Sequence, residues 1–217
     1  MSSAAVSGHP FVRHRLTGAA MTHTPLDFGP QTRIVARLAE GVTDAQLSDG
    51  TPCPAYAVRH VLGHLLGLAV AFRDAGRKDL GATTDTGPQD ALPDVGPAWR
   101  AELPQALGEL AEAWRDPAAW TGMTRAGGVD MPGEVTAAVA LDELVVHGWD
   151  LARATGQPYT PDPAALEHAH AFLRAAAEEG DRDDGIFGPV VPVPADAPLL
   201  DRAIGLSGRD PGWSRRG

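Results

Sequence analysis

Apolar residues along this chain recur mainly at the three-and-four spacing of helices, and nowhere in the sustained alternation of strands. Val58, Val61, Leu62, Leu65, Leu68 and Phe72 draw one wide stripe, and that spacing predicts a helix over about 55–75. Ile34, Val35 and Leu38 predict a shorter helix from about Phe28 to Glu40, with Gly41 just past its end. Trp99, Leu103, Ala106, Leu107, Leu110 and Trp114 predict a third over about 98–114, with Pro104 near the first turn, where it is tolerable. Ala140–Thr155 is apolar on nearly every side, reads as the central helix, and is stopped by Gly156-Gln157-Pro158. Leu166, Phe172 and Leu173 mark another helix over Pro163–Glu179, and Pro-rich extended chain leads to a short helix near Pro198–Ser207. The expected fold is all-α, a bundle of four main helices with a C-terminal appendage.

The intervening segments predict connections. Val42–Pro54 is a connector, and Thr51-Pro52-Cys53-Pro54 reads as a helix start because proline suits a first turn. Arg77–Gly96 is a long loop without periodicity, Trp120–Gly133 an irregular or short extended crossover, and Gly180–Gly185 an acidic turn. Residues 1–21 have no apolar periodicity and are expected to be a disordered tail, with Met21 as an alternative start. Residues 22–180 then form the bundle, and 181–217 an extension packed on it.

Composition narrows the function classes. A chain of 217 residues can bury a sizeable core, and 43% hydrophobic with 21% charged residues is ordinary for a globular protein. A net charge of -10 argues against nucleic acid and against an anionic membrane surface as partners. No apolar run approaches the roughly 20 residues of a membrane span, and the N-terminus shows no signal-peptide core. The single cysteine, Cys53, excludes an internal disulfide and fits a reducing compartment, so a cytoplasmic protein is expected.

The chemistry concentrates in the central helix. Glu143 and His147 are four residues apart and share a face, and Asp150 follows on the same stripe. A carboxylate among Leu141, Leu144, Val145 and Val146 needs a partner, and no Lys or Arg lies on its face of the helix. His64 borders the apolar stripe of the second helix and should also point inward, with His60 one turn earlier and Gly63 and Gly67 able to admit a neighbouring helix. Taken by itself, a Glu-x-x-x-His pair is weak evidence, often just a surface contact, and a lone histidine on an apolar helix is more often a satisfied core residue than a ligand. His64, Glu143 and His147 together make an open His/His/carboxylate set of the kind that holds zinc. Cys53 reads as a helix-entry packing residue, with a reactive thiol as the minor alternative; His60 as a partner behind the site, an extra ligand or a surface group; His168 and His170 as surface residues. Asp150 could orient His147, accept a proton, or simply be solvated or capping.

Three stretches in this order, TPCPAYAVRHVLGHLLG, DELVVHGWDLARATGQ and FGPVVPVPADAPLLDRAIGLSGRDPGW, carry a resemblance. They resemble the mycothiol-dependent maleylpyruvate isomerase-like proteins of the DinB-like metal-binding superfamily, above all an actinobacterial subgroup of mostly unassigned role. The likeness runs from about Thr22 to Trp213 and implies a DinB-like four-helix bundle with long crossover connections and a short C-terminal extension. It implies a metal triad at His64, Glu143 and His147; the donor set leads us to expect Zn²⁺ there, with Ni²⁺ as a purification artefact the alternative. It further implies mycothiol as a cosubstrate, used for S-transfer to, or isomerisation of, a small electrophilic substrate, by a monomer or homodimer. Asp150 is the candidate catalytic residue beside the triad. Relatives usually carry tryptophan and aspartate where this chain has Tyr56 and His60, and the isomerase adds a C-terminal domain where this chain has a short extension. A non-catalytic bundle that binds metal or a small molecule is the alternative from a different class.

Overall fold

The computed structural model describes residues 26–87, 92–179 and 188–215. The expected tail 1–21, His9, His14 and His23, and the acidic turn Gly180–Gly185 lie outside the described residues. In chain order the elements are α1 (Gly29–Glu40), α2 (Val58–Arg77), the single turn α3 (Ala82–Asp85), α4 (Trp99–Ala113), β1 (Met123–Ala126), β2 (Val129–Pro132), α5 (Gly133–Thr155), α6 (Pro163–Glu179) and α7 (Leu199–Leu206).

Helices α1, α2, α4 and α5 form the four-helix bundle. α4 packs between α1 and α2 on one side, and α5 packs between them on the other. The two diagonal steps, α1 to α2 and α4 to α5, therefore take the long connections 41–57 and 114–132. The stripe of α2 is buried throughout and meets Leu103, Leu107 and Leu110 of α4 and Ala137, Leu141 and Leu144 of α5 in one core. Each fully buried leucine there contributes roughly 1.5–3 kcal/mol of transfer free energy. Phe28 stacks on Trp114 at 5.5 Å, and Trp120 stands edge-on to both, which caps one end of the core. α5 is buried almost all round because α6 covers its outer face and α7 covers α6. Val146 and Trp149 of α5, Leu173 of α6, and Ala203 and Ile204 of α7 make a second, smaller core there. None of the described helices is long and apolar enough to cross a membrane.

Several boundaries differ from expectation, each for a local reason. Thr51-Pro52-Cys53-Pro54 is not a helix start: the Thr51 hydroxyl donates to the Tyr56 carbonyl at 2.7 Å and curls the segment into a turn. α2 begins only at Val58, where the His60 imidazole Nδ1 accepts from the Ala57 N–H at 3.1 Å. Pro104 lies inside α4 rather than in its first turn. The long loop after α2 contains α3, and the crossover before α5 is an antiparallel hairpin turning on Gly127 and Gly128, with φ of 60° and 77°. Two successive positive φ values make the tight primed turn that glycine pairs favour. At Gly63 the close neighbour is not a helix but the backbone of Asp94, 2.7 Å from where a Cβ would stand, and Gly67 has nothing within 4 Å. α5 starts at Gly133, earlier than its most apolar part suggested.

One buried amide ties α1 to α5 and to the loop that leads into α6. The Gln31 side chain of α1 donates to the Leu144 carbonyl of α5 at 3.1 Å and to the Tyr159 hydroxyl at 3.0 Å, and accepts from the Asp162 N–H at 3.0 Å. Gln31 is fully buried, so Gln31→Leu leaves the Asp162 N–H and one Leu144 lone pair unmatched. An expected loss of about 2 kcal/mol follows, read as a lower denaturation midpoint at unchanged slope.

Candidate metal centre

The side-by-side packing of α2 and α5 is what builds the site. His64 stands on the α2 flank that faces α5, and Glu143 and His147 stand one turn apart on the α5 face that receives it. The His64 Nε2 lies 3.0 Å from the Glu143 Oε2, and the His147 Nε2 lies 3.1 Å from the same oxygen. One ligand atom from each of the three residues falls within 4.8 Å of the others. For a tetrahedral ion with bonds of roughly 2.0–2.1 Å, neighbouring ligand atoms stand about 3.3–3.4 Å apart. The donor atoms are thus already near the spacing such an ion demands, and the set of two imidazoles and one carboxylate suits zinc chemically. No lysine or arginine pairs with Glu143 among the described residues; the two histidines are its partners.

The electrostatics follow from that crowding. Burial would raise the Glu143 carboxyl, but the hydrogen bonds and charges of His147 and His64 outweigh it and hold it well below the usual carboxylate range. Burial would lower His147, yet its hydrogen bonds to Asp150 and Glu143 push it up to about 9. A cation would replace the proton that His147 otherwise holds against Glu143.

Behind His147 lies a second layer. The His147 Nδ1 is 3.0 Å from the Asp150 Oδ2, so the ring donates there and turns Nε2 toward Glu143 and His64. Asp150 is fully buried, which replaces the expectation of a solvated or capping aspartate. Burial would raise its carboxyl; the charge of Arg209 and the His147 hydrogen bond hold it below its ordinary value. Arg209, beyond α7, meets Asp150 through Nη2 at 3.1 Å and Nε at 3.3 Å.

Tyr56 closes the near side. Its ring centroid is 5.8 Å from that of His64 and 6.4 Å from that of His147. Burial, with the charges of Cys53 and Glu143, pushes the Tyr56 phenol up, so its hydroxyl stays protonated and can donate. Cys53 is half-buried, and burial pushes its thiol up against the opposing charge of Arg209. A low-pKa thiol at a helix N-terminus is therefore not what the chain builds. His60 is occupied as the cap of α2, and it does not join the triad. The His168 Nδ1 donates to the Ala164 carbonyl at 3.0 Å within α6, and His170 is half-buried on the same helix. Sequence reasoning missed Arg209 and Tyr56 as parts of this site; both sit in the quoted motifs, but only the fold brings them to α5.

A family model described as the mycothiol maleylpyruvate isomerase N-terminal domain matches residues 28–152. Uncharacterized proteins from two strains of Mycobacterium tuberculosis are each 26% identical over 176 residues, which is 80% of this chain and 91% of theirs. Crystal structures of the mycothiol-dependent maleylpyruvate isomerase and of one of its histidine-to-alanine mutants each match with a TM-score of 0.49 at 18% identity. That match covers 67% of this chain and 66% of the isomerase, so this chain spans just under two thirds of the isomerase's length.

Proposed function

This chain belongs to the mycothiol maleylpyruvate isomerase N-terminal domain family, and on that premise we propose that it is a divalent-metal protein whose ion presents a small thiol to an electrophile. The observation that carries the reading is the convergence of His64, Glu143 and His147 within 4.8 Å at the α2–α5 seam. These three residues would hold the ion, zinc by the chemistry of the donor set, with nickel as the alternative. A divalent cation there supplies a Lewis acid with net positive charge, which lowers the pKa of a thiol it holds. Mycothiol is the thiol proposed, and S-transfer to, or isomerisation of, a small electrophilic substrate is the reaction.

The chain's own residues do the rest. Glu143 and the two Nε2 atoms would provide the electron pairs, and Asp150 holds the His147 Nδ1 proton so that Nε2 is the atom turned to the ion. That makes Asp150 a positioning residue, since both its oxygens are already engaged by His147 and Arg209. The Tyr56 ring stands beside those of His64 and His147 and would flank a group that they hold. Cys53, kept protonated by burial, does not compete with an incoming thiol as nucleophile.

Protein purified without a histidine tag and dialysed after zinc addition is expected to keep about one divalent cation per chain by elemental analysis. Far less than one overturns the metal reading. With cobalt in place of zinc, excess mycothiol is expected to produce a sulfur-to-metal charge-transfer band, and His64→Ala to abolish it while His168→Ala leaves it. A cobalt-loaded protein whose spectrum ignores mycothiol from about pH 6 to 9 retires the thiol reading and leaves a metal-binding bundle without turnover.

A further inference from the structure

Asp150 has no exposure at all, and it sits against a candidate ligand, so its own support decides how firmly His147 is aimed. That support does not come from the bundle. It comes from Arg209, fifty-nine residues further along, in the segment after α7 and beyond the span 28–152 of the family match. The guanidinium lies along the carboxylate, with Nε at 3.3 Å from both oxygens and Nη2 at 3.1 Å from the oxygen that also receives the His147 Nδ1 proton.

The segment is shaped to deliver this one side chain. α7 ends at Leu206, and Gly208 then takes a φ of 86°, a left-handed turn that folds the chain back on itself. Its Cα packs against Gly188, 2.8 Å from where a Cβ would stand, so no larger residue fits the turn. The Arg209 N–H bonds the Ile204 carbonyl at 3.1 Å, and its Nη1 bonds the Ser207 carbonyl at 3.2 Å, which fixes the guanidinium at both ends. The Arg209 side chain is only 13% exposed. Without it, a fully buried carboxylate would keep a single ring nitrogen as partner and could rotate away from it.

We propose that Arg209 is a positioning residue for the metal centre: through Asp150 it locks the His147 ring with Nδ1 engaged and Nε2 aimed at the ion, so the C-terminal segment completes the site. This rests on the metal reading above. The relay predicts a definite pattern of cobalt affinities. Arg209→Gln lowers affinity roughly 10–100-fold, as does Asp150→Asn, because a partner behind a ligating histidine is typically worth that much. The double variant binds no worse than Asp150→Asn alone, since both changes cut one chain of contacts. Arg209→Lys, which keeps the charge and one donor, recovers most of the loss. Arg215→Gln removes a different ion pair of the same segment, that with Asp49 at 3.0 Å, and leaves affinity unchanged.

Wild-type affinity in Arg209→Gln overturns the relay, as do losses that add in the double variant or an equal loss in Arg215→Gln. The last result would mean that only docking of the segment matters. A metal-free readout separates this failure from failure of the metal reading. In the apo protein the His147 Nδ1 proton is expected as a slowly exchanging downfield resonance, present in wild type and lost in Arg209→Gln. Wild-type protein that takes up no cobalt overturns the metal reading, and the resonance then decides the relay by itself: kept in Arg209→Gln, the relay is wrong.

Discussion

Glu143→Ala is expected to weaken divalent-cation binding more than a change at Asp150, which stands behind the candidate ligands. Its Oε2 lies within 3.1 Å of the Nε2 of both His64 and His147, so it is the shared vertex of the triad. The carboxylate also supplies the only negative charge among the three candidate ligands, and two neutral imidazoles alone leave the ion's charge uncompensated in a half-buried site. Asp150→Asn acts one layer back and should cost the roughly 10–100-fold typical of partners behind a ligating histidine. Glu143→Ala should exceed that, to the point where dialysis strips the ion. Calorimetric titration of zinc into both variants measures the order directly. Equal retention in the two would mean that Glu143 is not a ligand and that the acid serves only to pair with the histidines.

The ranking of these residues shows what a sequence can carry. Glu143 and His147 were legible because four-residue spacing on a helix fixes a shared face regardless of tertiary context, and because the apolar neighbours forced that face inward. His64 was legible from the border of the α2 stripe. The bundle itself was legible because the helices carry wide apolar stripes of ordinary length. The hairpin was not. Its strands are four residues each, and Met123 and Val129 are exposed, so no apolar alternation marks them; the pair Gly127-Gly128 was the one local signal. The start of α2 was misplaced because proline at Pro52 and Pro54 suits a helix entry and a turn equally well. What decides is the Thr51 hydroxyl and the His60 ring, each bonding backbone several residues away. Arg209 could not be placed at all, since it follows α7 outside any helix, its partner lies in α5, and no periodicity links them.

Proton competition at His147 should make cation affinity climb with pH. In the metal-free protein this group binds its proton more tightly when folded, at about 9 against 6.5 unfolded, because Asp150 and Glu143 both accept from it despite its burial. Protonated His147 therefore contributes stability that is fully present below about pH 6.5 and is lost as pH rises through about 9, up to roughly 3 kcal/mol. Glu143 and Asp150 carry the opposite sign: their depressed values contribute stability above the ordinary carboxylate range that is lost as pH falls below it. The metal-free protein should accordingly unfold at the highest temperature between about pH 5 and 7 and lose ground on both sides. A cation needs the Nε2 electron pair and must displace one proton from His147 throughout the range below about 9. Affinity should then rise about tenfold per pH unit from about 6.5 to 8.5 and flatten beyond, with close to one proton released per ion. Calorimetric titrations in buffers of different ionisation enthalpy count that proton. Zinc or cobalt affinity that stays constant across the same range would show that no proton leaves His147 on binding: either its Nε2 is already neutral in the metal-free protein or it is not a ligand.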